Sequence, residues 1–135
     1  MASAPKDLKL WQEAVALAAD VVRAVRNGSR RETKAFTDEL MAAASAVASG
    51  IADAYGRYVP AEQMASFRDT KRALAILETR LAIARQAELI SAATLAQCTG
   101  RVTTVARLLS GYLSHLERIV EAEAKEPDVR PRGVA

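Results

Sequence analysis

Cysteine occurs once in this 135-residue chain, as Cys98, which excludes an internal disulfide framework and a thiolate zinc site. Histidine also occurs once, as His115. A di-iron helical bundle needs two Glu-x-x-His pairs facing inward, but three residues before His115 stands Tyr112. No Ser-His-Asp or Cys-His pairing is legible either. Aromatic residues make up 4% of the chain, and the long β-branched and aromatic alternation of a β-sandwich is missing. A glycine-rich phosphate loop and a strand-turn-helix dinucleotide pattern are both absent, which removes the commonest nucleotide-enzyme classes. No window approaches 18 uninterrupted apolar residues, and Met1 to Leu8 holds no apolar stretch of the signal-peptide type. The expectation is one soluble, cytoplasmic domain with no enzymatic activity, no metal, no cofactor, no small-molecule substrate and no membrane association.

What is present forms helices. Half of the residues are apolar, and alanine, the strongest helix former, is the commonest. Apolar positions recur at steps of three and four. The spacing predicts helices over about 7–26, 36–55, 61–87 and 92–124. The first carries Leu10, Ala14, Leu17, Val21 and Val25 on one stripe, with Trp11 beside it as a core or interface anchor. The second carries Phe36, Leu40, Ala44, Val47, Ile51 and Tyr55, with small residues such as Ala42, Ala43 and Ala46 opposite. The third carries Phe67, Thr70, Leu74, Leu77, Leu81 and Ala84. The fourth carries Leu95, Cys98, Val102, Val105, Leu109, Tyr112, Leu116 and Ile119, with Leu108 and Leu113 beside the seam. Cys98 reads as a small core hydrophobe, and His115 as a residue on the flank.

The boundaries have their own signals. Asp7 is a cap, Asn27-Gly28 a stop, and Ser29-Arg30-Arg31-Glu32 has the spacing of a capping box that restarts a helical turn. Gly56 closes the second helix, Pro60 opens the third, and Ser91 caps the fourth. Four helices with short connections predict an all-α, antiparallel up-down four-helix bundle over residues 7–126. Residues 1–6 are expected to be a flexible N-terminus and 127–135, with two prolines and a glycine, a disordered tail. Apolar residues beyond one stripe per helix, among them Trp11, Val15, Met41 and Ala48, point to a homo-oligomer.

Net charge is +3, from 19 basic and 16 acidic residues. The densest basic cluster is Arg23, Arg26, Arg30, Arg31 and Lys34, interrupted by Glu32. It reads either as a solvated mixed-charge surface or as a contact for a polyanion. In an up-down bundle the C-terminal end of the third helix, with Arg85, falls at the same end. Asp53 and Glu78 lie beside core positions. Each reads as half of a structural ion pair, as a residue at a subunit contact, or as a solvated acid.

Three stretches carry a resemblance. Asp7-Leu8-Lys9-Leu10-Trp11-Gln12-Glu13-Ala14 resembles the opening L-x-V-W-Q-x-A of the small bacterial four-helix-bundle proteins encoded in 23S ribosomal RNA intervening sequences. Ser49-Gly50-Ile51-Ala52-Asp53-Ala54-Tyr55-Gly56-Arg57 resembles that family's S-N-I-A-E-G-x-G-R, and Leu77-Glu78-Thr79-Arg80-Leu81 its L-E-T-Q-L. The motif positions are therefore Trp11, Ile51, Asp53, Tyr55, Gly56, Arg57 and Glu78. The resemblance implies a bundle assembled as a ring-shaped homopentamer. It also implies kinship with the accessory proteins of diversity-generating retroelements, which work with reverse transcriptase and template RNA. This chain departs from the pattern at Gly50 (usually Asn), Asp53 (Glu) and Ala54 (Gly). Met41-Ala42 stands where the family has a basic pair, and Arg72-Ala73 where it has a small pair. Two function classes follow: an oligomeric scaffold or adaptor that contacts RNA or an RNA–protein complex, and an oligomeric protein-interaction module without nucleic acid.

Overall fold

The computed structural model describes residues 8–26 and 30–125. The flexible N-terminus expected over 1–6, the Asp7 cap, the Asn27-Gly28 stop, Ser29 and the tail expected over 127–135 lie outside the described residues. Four α-helices follow in order: α1 (Lys9–Val25), α2 (Lys34–Tyr55), α3 (Pro60–Gln86) and α4 (Ala92–Lys125). There is no strand among the described residues. A short 3-10 turn, Arg31–Thr33, precedes α2, so the second helix begins two residues earlier than its apolar pattern suggests.

Each helix touches the next, and α1 also touches α4, which closes a square. Contacts between α2 and α3 fix their direction. Ser66 bonds Asp53 beside the turn, Gly50 faces Thr70 farther from it, and Arg80 reaches the Glu39 carbonyl farther still. One number falls as the other rises, which is an antiparallel register. A Cβ built on Gly50 would lie 2.6 Å from Thr70 Oγ1, so a side chain at this position would force the Thr70 hydroxyl to move. Pro60 is the first residue of α3, where its missing N–H costs nothing. At the start of α4 the Ser91 hydroxyl accepts from the Thr94 amide at 3.1 Å, satisfying a donor that the helix start leaves open.

The core is apolar and continuous. In α1 the buried apolar residues are Leu10, Ala14, Leu17, Val21 and Val25; in α3 the buried residues are Phe67, Thr70, Leu74, Leu77, Leu81 and Ala84. Two stripes differ from the expected pattern. In α4 the core takes Leu113 rather than Tyr112, which is half-buried at the flank, as is Ile119. A strict 3-4 repeat drifts by ~20° per heptad against a straight helix, so over this longest helix the seam rotates off its first line. In α2, Ala43 and Ala54 are buried, while Phe36 and Tyr55, in the first and last turns of the helix, are half-buried.

One residue is held against its preference. Glu88 follows α3 with φ of 64°. The Leu89 amide bonds the Ala84 carbonyl at 2.8 Å and the Glu88 amide bonds the Arg85 carbonyl at 3.1 Å. This helix-ending motif wants a left-handed residue, usually glycine. Glu88→Gly is expected to stabilise the fold by about 0.5–1 kcal/mol, readable as a raised urea midpoint. An unchanged or lowered midpoint would show that the turn carries no strain.

Candidate nucleic-acid interface

The end of α1, the 3-10 turn and the start of α2 bring the basic residues together. The Arg26 amide still bonds the Val22 carbonyl at 3.0 Å, so Arg26 continues the helical path. Arg30 is extended. Its amide donates to Thr33 Oγ1 at 3.3 Å, and the Thr33 hydroxyl and amide both return to the Arg30 carbonyl. That local clasp sets Arg31 and Lys34 on the turn that follows. The result is a cleft of about 420 Å³ lined by Val25, Arg26, Arg30, Arg31, Lys34, Asp38 and Met41.

The five basic residues are not equivalent. Arg23 lies outside the cleft and bonds Asp20 at 2.6 Å. Lys34 bonds Asp38 at 2.7 Å. Arg26, Arg30 and Arg31 are exposed, and among the described residues none of the three forms an ion pair. They are the cations available to an external anion. Arg85 stands half-buried in the last turn of α3.

At the opposite end, Asp53 ties the α2–α3 turn. Its Oδ2 accepts from Ser66 Oγ at 2.9 Å and from Arg57 Nε and Nη2 at 3.2 and 3.1 Å. The Ser66 hydrogen bond first, then Arg57, holds the Asp53 carboxyl below its ordinary value. A lowered folded value means that the stabilisation is present above the unfolded value and is lost as pH falls through the folded one. Ser66→Ala is therefore expected to raise the Asp53 titration midpoint followed by NMR; an unmoved midpoint would show the bond to be inconsequential.

The other motif positions differ in their surroundings. Ile51 is fully buried and Gly56 caps α2. The Tyr55 carbonyl accepts from Gln63, and half-buried Trp11 packs against the core. Glu78 is exposed and has no ion pair among the described residues. His115 is exposed, with its ring edge-on to Tyr112 at 6.4 Å. Cys98 is buried, and burial pushes its thiol up, with the Asp20 carboxylate adding to the effect.

One constellation escaped the sequence reading. Arg101 of α4 bonds Asp20 through Nε at 2.7 Å and Glu13 through Nη1 at 3.1 Å, and Lys9 also pairs with Glu13. The legible signal was spacing: Glu13 and Asp20 are seven apart, hence on one side of α1.

Two apolar surfaces stay open on helix faces, besides the exposed Tyr58 and Val59 of the α2–α3 turn. On α1, Val15 and Val22 are 38% and 40% exposed; on α3, Ile76 and Ile83 are 50% and 48% exposed. Beside the second pair, Ala42, Ala46 and Ala73 line a shallow groove of about 290 Å³ crossed by Arg80. Among the described residues no group of carboxylate, histidine and cysteine side chains could hold a metal ion, and no helix is long and apolar enough to cross a membrane.

The family model described as 23S rRNA-intervening sequence protein matches residues 6–111, which include α1, α2, α3 and more than half of α4. The chain belongs to the 23S rRNA-intervening sequence protein family. A comparison with curated proteins finds no match. In this member of the family the matched region holds both the arginine cleft and the Asp53 turn, at opposite ends of the bundle.

Proposed function

We propose that the chain is a non-enzymatic, cytoplasmic, homo-oligomeric scaffold that contacts RNA or an RNA–protein complex through its arginine end. The observation that carries this reading is the pair of open apolar surfaces. Val15 and Val22 on α1, and Ile76 and Ile83 on α3, are each seven residues apart, the interval at which a helix presents a seam to another helix. Two different surfaces suit a heterologous contact, in which one copy's first surface meets the next copy's second, and such contacts form a ring where the rotation between copies closes. Five copies is the number that the family resemblance implies, and the kinship with retroelement accessory proteins belongs to the same proposal. A ring would repeat the Arg26, Arg30 and Arg31 cleft in each subunit, multiplying weak contacts.

Light scattering behind size exclusion is expected to give five times the 14.5 kDa chain mass. An Ile76→Lys, Ile83→Lys variant is expected to run as a folded monomer. A wild-type mass of one chain would overturn the scaffold reading. The protein-only reading draws on Arg23 and Lys34, both neutralised within the chain. It gains if the wild type assembles and binds no RNA.

A further inference from the structure

We propose that the cleft between α1 and α2 takes an unpaired nucleotide of a single-stranded RNA, its phosphate on Arg26, Arg30 and Arg31 and its base against Met41, above the buried Val25. This rests on the RNA reading above and narrows it.

Three observations carry the inference. The first is the uncompensated charge. Arg26, Arg30 and Arg31 are exposed and have no acidic partner among the described residues, so their guanidinium groups are free to fork onto phosphate oxygens. The second is the floor. Val25 is buried and Met41 half-buried, and both line the same cleft as the arginines. A duplex offers phosphates and sugars to such a surface and keeps its base faces stacked inside. A single strand offers both phosphate and a bare base face. The methionine thioether and the arginine planes are the surfaces here that a base can lie against. The third is size. About 420 Å³ is the scale of a small-molecule pocket, whereas recognition of double-stranded RNA spreads over about 16 base pairs. Asp38 stands on the remaining wall, paired with Lys34 at 2.7 Å. That side of the cleft therefore offers no free cation to a second phosphate.

The test uses the full chain and a short mixed-sequence RNA, alone and as the blunt duplex with its complement, by fluorescence anisotropy at about 50 and 200 mM salt. The single strand is expected to bind at least tenfold tighter than the duplex. With one phosphate held by the three arginines the log–log salt slope is about −0.7, roughly a threefold loss over that range. Arg30→Gln, Arg31→Gln is expected to flatten the slope. Met41→Ser is expected to weaken binding severalfold and leave the slope unchanged, a combination that loss of charge cannot produce. Circular dichroism and light scattering show whether each variant is still folded and assembled. The exposed arginine pair keeps the test valid if Met41→Ser is not. Equal affinity for strand and duplex would overturn the inference and leave the RNA reading standing. No binding of either at low salt would overturn both. Competition by a polyglutamate peptide as effective as by the RNA would also overturn it, in favour of an acidic protein partner.

Discussion

Truncating Phe67 to alanine is expected to cost about 3–5 kcal/mol of folding stability, read from urea unfolding at fixed protein concentration. Phe67 is the largest of the fully buried side chains. It sits on α3 with its ring centroid 4.9 Å from that of Tyr112 on α4, tilted at 54°. Removing the ring loses its transfer free energy, leaves a cavity between two long helices that cannot collapse freely, and loses an aromatic contact worth about 0.5–1.5 kcal/mol. The comparison holds the chain concentration constant, since the proposed assembly would be linked to folding. Phe67→Leu, which keeps most of the volume, is expected to lose less than half as much. A loss under about 1 kcal/mol for the alanine variant would mean that this part of the α3–α4 seam is not packed as described.

Arg101→Met is expected to destabilise the bundle more than Arg101→Met combined with Asp20→Leu. The Asp20 side chain is 3% exposed and holds one arginine on each carboxylate oxygen. Losing Arg101 strands Oδ2 inside the α1–α4 interface, and a buried acceptor left without its donor costs about 1–3 kcal/mol. The double variant removes the buried carboxylate together with its partly exposed arginine, so no buried acceptor is left without a donor. Glu13 is less affected, because Lys9 stays within 3.3 Å. The expected order of urea midpoints is therefore wild type and double variant together, with the single variant below both. A single variant as stable as wild type would show that solvent takes over the carboxylate and that the network does not join the helices. By contrast, exposed pairs such as Lys34–Asp38 contribute little to stability.

Much of this molecule was legible because helices are local. The apolar stripe of α1 and the six buried positions of α3 follow from a period of 3.6 alone, and Gly56, Pro60 and Ser91 mark helix ends by backbone chemistry. The family resemblance rested on Trp11, Ile51 to Arg57 and Glu78, all within the matched residues 6–111. Tyr112 shows where a repeat rule fails: over 34 residues the 3.5 and 3.6 periods part, and which residue turns inward depends on the helices opposite.

The arginine cluster was equally visible as a run of charge. Its composition as a site was not, because pairing is a property of distance in space. Arg23 drops out through Asp20, Lys34 is shared with Asp38, and Met41, seven positions on from Lys34, becomes part of the cleft. Arg101 stood in the sequence only as the basic residue nearest Cys98, and its partner Asp20 lies 81 positions away. Helix period and end chemistry are written in neighbouring residues, so the chain alone settled four helices and most of the buried face. Which charges neutralise one another, and which stay free for an anion, depended on helices far apart in sequence packing side by side, where Coulomb energy and desolvation act through space.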